Sequence, residues 1–134
     1  LITRAVENLS HFSNMEILNL GLEVKPQNSL VRDFGIKPSD SIATGANIDA
    51  RDIFEKGMKF GKEYELKGNY LILGESTPSG TTTATTSALA LGYDCRDDFS
   101  SSFLNVPTSI KNKTIDEALS LIDDSMSNFE KLSL

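Results

Sequence analysis

Cysteine and histidine are nearly absent from this chain: Cys95 is the only thiol and His11 the only imidazole. A single cysteine excludes an internal disulfide and a thiolate metal cluster. It fits a reducing compartment, so a cytoplasmic protein is expected, with no resident metal or cofactor. Long apolar runs are missing as well. None approaches a membrane span and no signal peptide is visible, so no membrane partner is expected. Prolines are scarce, four in 134 residues, and with 39% hydrophobic and 24% charged residues the chain reads as globular rather than disordered. Positive charge is in deficit: thirteen Lys and Arg face nineteen Asp and Glu, a net charge of −6. Such a surface repels nucleic-acid backbones and anionic membranes. It still leaves room for a small anion, because a local nest of backbone N–H groups binds one against the global field.

The length fits one domain, and residues 1–134 are read as a single α/β segment. The chain begins at Leu1 rather than Met, and LITRAVENL already reads as the middle of a helix. A piece of a larger protein is therefore expected. Ile2, Val6 and Leu9 give residues 2–10 helical spacing, and His11 to Asn14 form a polar break. MEILNLGLEV (15–24) reads as a strand, turned off by Lys25-Pro26-Gln27-Asn28. Residues 28–48 read as loop with one short extended piece at Leu30–Phe34. A structureless loop of that length is uncommon in a compact domain, so it is either functional or completed by chain outside this sequence.

Asp49 is placed to cap a helix over 50–66, with Asp52 in its first turn at the positive end of the dipole. Gly57 and Gly61 lie on the face of Ile53, Phe60 and Tyr64. Glycine in a helix costs about 1 kcal/mol relative to alanine, so the pair predicts close packing against a neighbour. After a turn at Gly68-Asn69, YLILG (70–74) has the character of a buried strand. A helix over 81–91 ends at Gly92. Tyr93 to Ser102 has room for a short strand, and 107–113 reads as loop. Thr114-Ile115-Asp116-Glu117 is a capping-box pattern opening a helix to about residue 131, with Ile115, Ala118, Leu119, Ile122, Met126 and Phe129 on its apolar face. This alternation predicts an α/β fold with a parallel sheet, incomplete in itself because two or three strands are few for a sheet that needs both faces covered.

Between strand and helix lies GESTPSGTTT (74–83). It lacks the lysine and the glycine spacing of a Walker A loop, and it lacks the G-x-G-x-x-G of a dinucleotide fold. Pro78 stands where a nucleophile elbow needs its last glycine, and nothing ties His11 to Ser76. His11 itself reads as a surface or packed histidine. What remains is an anion-binding device. Pro78 stiffens the loop, Gly80 permits close approach, and Thr81, Thr82 and Thr83 open a helix whose N–H groups and hydroxyls face the same space. Glu75 would repel a phosphate, so sugar hydroxyls or loop N–H groups are its expected partners. The bland alternative is a plain strand-to-helix connection. The threonines Thr81, Thr82, Thr83, Thr85 and Thr86 argue against it, because they are poor helix formers.

GESTPSGTTT followed by ALALGYD resembles the GESxPGGTTTA…LALGYD signature of the archaeal and cyanobacterial branch of the nicotinate-nucleotide:dimethylbenzimidazole phosphoribosyltransferases. NLGLEVKPQ, IATGANIDARDIFEKGMKFGKE and SSSFLNVPTSIKNKTIDEAL resemble further segments of that family, in order, over nearly the whole chain. The resemblance implies a Rossmann-like parallel sheet with flanking helices and a homodimer. It implies transfer of the phosphoribosyl group of nicotinate mononucleotide to a nitrogen of a benzimidazole-type aromatic base, in the synthesis of the lower ligand of cobalamin. Carried over by position, Glu75 stands at the loop glutamate and Thr81 and Thr82 at the paired threonines. Ser76, Ser79 and Gly80 complete the substrate-binding loop. Lys111 is spaced like a lysine that assists phosphoribosyl binding. Ser79 departs from the family's glycine. The carboxylate proposed as catalytic base has no counterpart in this chain, so the chain alone is expected to be inactive. The alternatives from other classes are a nucleotide- or phosphate-binding module without transfer activity, and a structural element whose threonine-rich helix packs against a partner.

Overall fold

In the computed structural model, residues 2–12, 14–27, 29–75, 77–99, 104 and 107–134 are described, apart from the side chains of residues 2–4. The elements are α1 (Ile2–Leu9), β1 (Glu16–Asn19), β2 (Leu30–Asp33), α2 (Ala50–Glu63), α3 (Gly80–Ala90), α4 (Thr108–Leu119) and α5 (Asn128–Ser133). Helices and a small parallel sheet place the chain in the α/β class. Contacts divide it into two compact units, Leu1–Pro38 with Lys56–Leu73, and Ser39–Glu55 with Gly74–Leu134.

In the first unit β1 and β2 pair in parallel, with Glu16 opposite Leu30 and Asn19 opposite Asp33. The predicted strand over 15–24 is only four residues long, and its end is chemical. The buried Asn19 side chain accepts from the amides of Gly21 (3.2 Å) and Leu22 (2.7 Å), curling the chain out of the sheet. The short extended piece expected near Leu30 is β2. Arg32 reaches across to β1, where its Nε and Nη2 donate to one carboxylate oxygen of Glu16 at 3.0 and 2.9 Å. The other oxygen accepts from Asn14 at 3.1 Å. The Arg32 guanidinium also lies 5.1 Å from the centre of the Phe60 ring, which meets Phe34 edge-on.

Several expectations are corrected here. YLILG is not a buried strand. Residues 70–74 belong to no element, and all are exposed. A buried strand needs neighbours at its edges and cover on its faces, and the described residues supply neither. Nothing lies within 4 Å of where a side-chain carbon would stand on Gly57 or Gly61, so these glycines pack against no neighbour among the described residues. The tail of the Tyr93–Ser102 segment, where a short strand was expected, lies partly outside the described residues.

The second unit holds the helical core. Asp49 caps α2 as expected, its Oδ1 accepting from the Asp52 amide at 2.9 Å. Gly92 (φ 91°) closes α3: its amide donates to the Leu89 carbonyl and the Tyr93 amide to the Ala88 carbonyl, the two bonds of a Schellman turn. Helix α4 packs on α3 and buries Ile115 and Ala118, two positions of the expected apolar face.

The predicted boundaries of that helix are wrong at both ends. It begins at Thr108 behind Pro107, whose fixed φ of −77° suits a helix start, and not at Thr114. It stops at Leu119, where the Ser120 hydroxyl donates to the Glu117 carbonyl and the chain turns at Asp123 and Ser125. The capping box belongs instead to Ser127 and Glu130, which open α5. Thr114 to Glu117 and Ser127 to Glu130 carry the same letter pattern, and only the second begins a helix.

Two outcomes test this packing. Ile115 is fully buried, so Ile115→Ala should lower the free energy of unfolding by about 2–4 kcal/mol, measured by denaturant titration. The Glu16 carboxyl is held below its ordinary 4.5 by the Asn14 amide and then by Arg32. The Asp33 carboxyl is held below its ordinary 3.8 by Lys25 and then by the Gly35 amide. Depressed values mean stabilisation that is complete above the unfolded pKa and lost as pH falls through the lowered folded value. Acidification below about pH 4.5 should therefore loosen β1–β2, and Glu16→Gln should flatten that dependence when amide signals of 16–19 and 30–33 are followed against pH.

Candidate functional site

The loop before α3 acquires its shape from two backbone constraints. Ser79, the N-cap residue, has φ 57° and ψ 23°, in the left-handed region that residues other than glycine, Asn and Asp seldom occupy. Its side chain makes no cap hydrogen bond, and its carbonyl accepts from the Thr82 amide at 2.9 Å and the Thr83 amide at 3.4 Å. Gly80 is the first helical residue. A side-chain carbon there would stand 2.8 Å from Glu75 Oε1 and 2.8 Å from Thr77 Cγ2, closer than real contacts allow. The Glu75 carboxylate thus folds back over the start of the helix, and glycine is what lets it do so. Thr77, passed over in the sequence reading, forms the other side of this cradle.

Among the described residues, no backbone carbonyl accepts from the amides of Gly80 or Thr81. They stand at the positive end of the helix, where an anion is favoured. Thr81 is exposed and Thr82 half-buried. Further along, Thr85 and Thr86 are buried, and their hydroxyls donate to the carbonyls of Thr81 (2.7 Å) and Thr82 (2.9 Å). Those two threonines are spent on the helix itself, so they no longer argue against a plain connection as the sequence suggested.

Of the residues singled out from sequence, Glu75, Ser79, Gly80, Thr81 and Thr82 therefore share one loop-to-helix corner. Ser76 lies outside the described residues. Lys111 does not precede a helix as expected, because it stands in the first turn of α4. Although α4 packs on α3, no hydrogen bond or ion pair among the described residues joins Lys111 to residues 75–82. Also among the described residues, no group of three or more His, Cys, Asp or Glu could hold a metal ion, and no helix is long and apolar enough to cross a membrane. The first unit adds a feature that the sequence reading missed, an open cleft lined in part by Glu16, Arg32, Phe60, Tyr64 and Lys67. Its signal was a glutamate and an arginine on neighbouring strands, two positions apart in the register, legible only once that register is known.

A protein of Sulfurisphaera tokodaii is 35% identical to the chain over 136 aligned residues, which cover 99% of the chain. It is a UPF0284 protein. A UPF0284 protein of Saccharolobus solfataricus is likewise 35% identical over 136 residues, and one of Methanocaldococcus jannaschii is 38% identical over 119. The chain is thus similar, over nearly all of its length, to UPF0284 proteins. It spans 39% of the first two relatives and 33% of the third. The UPF0284 name states no activity. No protein-family model matches the chain.

The left-handed Ser79 gives a direct test of the corner. Glycine occupies this region without the clash that a side-chain carbon meets, worth about 1 kcal/mol. Ser79→Gly should therefore raise the thermal unfolding midpoint, whereas a lowered midpoint would contradict the left-handed assignment.

Proposed function

We propose that the corner formed by residues 75–82 binds the phosphoribosyl part of nicotinate mononucleotide, and that the full-length protein transfers this group to a benzimidazole-type aromatic base in cobalamin lower-ligand synthesis. One observation carries the reading. The family that GESTPSGTTT resembles has glycine at the positions of both Ser79 and Gly80. Here the first position has a left-handed backbone, and at the second a side-chain carbon would displace the Glu75 and Thr77 side chains that fold over it. A backbone that favours glycine and a side-chain cradle closed over a glycine thus fall where that family's loop has its glycines.

In this reading the amides of Gly80 and Thr81 and the Thr81 and Thr82 hydroxyls receive the phosphate. Glu75 turns from the helix start to accept hydrogen bonds from the ribose hydroxyls. The acceptor base must lose a proton as its nitrogen attacks the sugar carbon and nicotinate leaves, which calls for a general base. The family's base has no counterpart in this chain, so that step is assigned to chain beyond it. In the full-length protein the sheet is then Rossmann-like, and the enzyme is a cytoplasmic homodimer. Because the base is absent here, a second reading stands beside the first: a module that binds nucleotide without transferring it.

Incubating a full-length protein that contains this segment with nicotinate mononucleotide and a panel of bases separates the two. Release of nicotinate that requires a base is the expected result. Binding by calorimetry without release would favour the module. Thr81→Val combined with Thr82→Val should weaken nucleotide affinity at least tenfold, roughly one to two hydrogen bonds to a charged group. Unchanged affinity would remove the phosphate site from this corner.

A further inference from the structure

The open cleft of the first unit is not used by the proposed function. All of its lining belongs to that unit, and its volume is about 190 Å³. Pockets for drug-sized molecules start near ~300 Å³, so this one suits a single small molecule. The strands supply Glu16 and Arg32, the last turn of α2 supplies Phe60 and Glu63, and Tyr64, Glu65 and Lys67 follow.

Most of these groups have bonding capacity left. Glu16 is the exception: its side chain is nearly buried, and both oxygens already accept, one from Arg32 and one from Asn14. Arg32 spends Nε and Nη2 on that carboxylate, and Nη1 has no acceptor among the described residues. Among the described residues, no hydrogen bond or ion pair engages the side chains of Glu63, Glu65 or Lys67. The end of α2 is open too. The amides of Leu91 and Ser120 donate back into α3 and α4, whereas no amide after Glu63 donates back to a carbonyl of α2 among the described residues.

We propose that the cleft binds an α-amino acid with an apolar side chain. Charge selects the class. Lys67 is near enough to Glu16 for its charge to act on that carboxylate, and Arg32 and Lys67 together outweigh it. The wall beside β1 is therefore positive and suits a carboxylate. The end of α2 has the opposite sign: its last carbonyls lack donors, and Glu63 and Glu65 add two carboxylates, which suits an ammonium group. A simple anion would meet those carboxylates, and a simple cation would meet Arg32 and Lys67. A zwitterion satisfies both. Phe60 and Tyr64, with ring centroids 5.4 Å apart, offer its side chain an apolar surface. The proposal is independent of the phosphoribosyl reading, whose residues 75–82 belong to the other unit.

Calorimetry on a full-length protein containing this segment tests the site, with L-phenylalanine as the probe. Saturable binding is expected. Hydrocinnamate, which lacks the ammonium, and phenethylamine, which lacks the carboxylate, should each bind at least tenfold more weakly, roughly the loss of one hydrogen bond to a charged group. Glu65→Gln and Lys67→Gln, both at exposed positions, should each weaken L-phenylalanine binding about tenfold without moving the thermal unfolding midpoint. No saturable binding, equal affinity for hydrocinnamate or phenethylamine, or unchanged affinity in either variant would overturn the proposal.

Discussion

The second unit depends on burying a helix made largely of threonine. Thr85 and Ile115 are its largest fully buried side chains, on helices that pack together. A buried hydroxyl without a partner is costly, and the Thr85 and Thr86 hydroxyls avoid that cost by donating to carbonyls one turn back. The helix can therefore present threonine as a core residue. Once α3 is fixed against α4 and closed at Gly92, the direction of its first turn is set, and with it the place where the Gly80 and Thr81 amides point.

The corner in front of that helix shows how fold and site share residues. Ser79 bends the chain through a left-handed conformation, Gly80 leaves space, and Glu75 turns into that space. Each feature is local, and together they set the Gly80 and Thr81 amides, which no carbonyl among the described residues accepts from, beside a carboxylate. The acidic balance of the chain does not oppose anion binding here, because a helix start acts over a few ångströms while a net charge of −6 is spread over the surface and screened. Ligand binding at this corner must compete with Glu75 unless the carboxylate finds hydroxyls to accept from.

Where the sequence was legible, the signal was local. Asp49 and Gly92 mark ends through hydrogen bonds made within a few residues, and they were read correctly. The Leu30 strand was expected as a short extended piece, although its parallel pairing with β1 was not. Failures came where two local signals competed. Thr114 and Ser127 each begin a capping-box letter pattern, and Pro107 claimed the helix start before Thr114 could. Tyr70–Leu73 failed differently: its apolar run states a need for cover, and no local rule says who provides it. Lys111 was given a place by spacing alone, and spacing does not determine which turn of a helix a residue enters.

The central claim is that the start of α3 receives an anionic sugar phosphate. It is met most directly by titrating nicotinate mononucleotide into the isotopically labelled chain and following its amide resonances. A site at this corner predicts saturable shifts that are largest for Gly80 and Thr81, with inorganic phosphate shifting the same pair more weakly. Saturable shifts confined to other residues, with Gly80 and Thr81 unmoved, would contradict it.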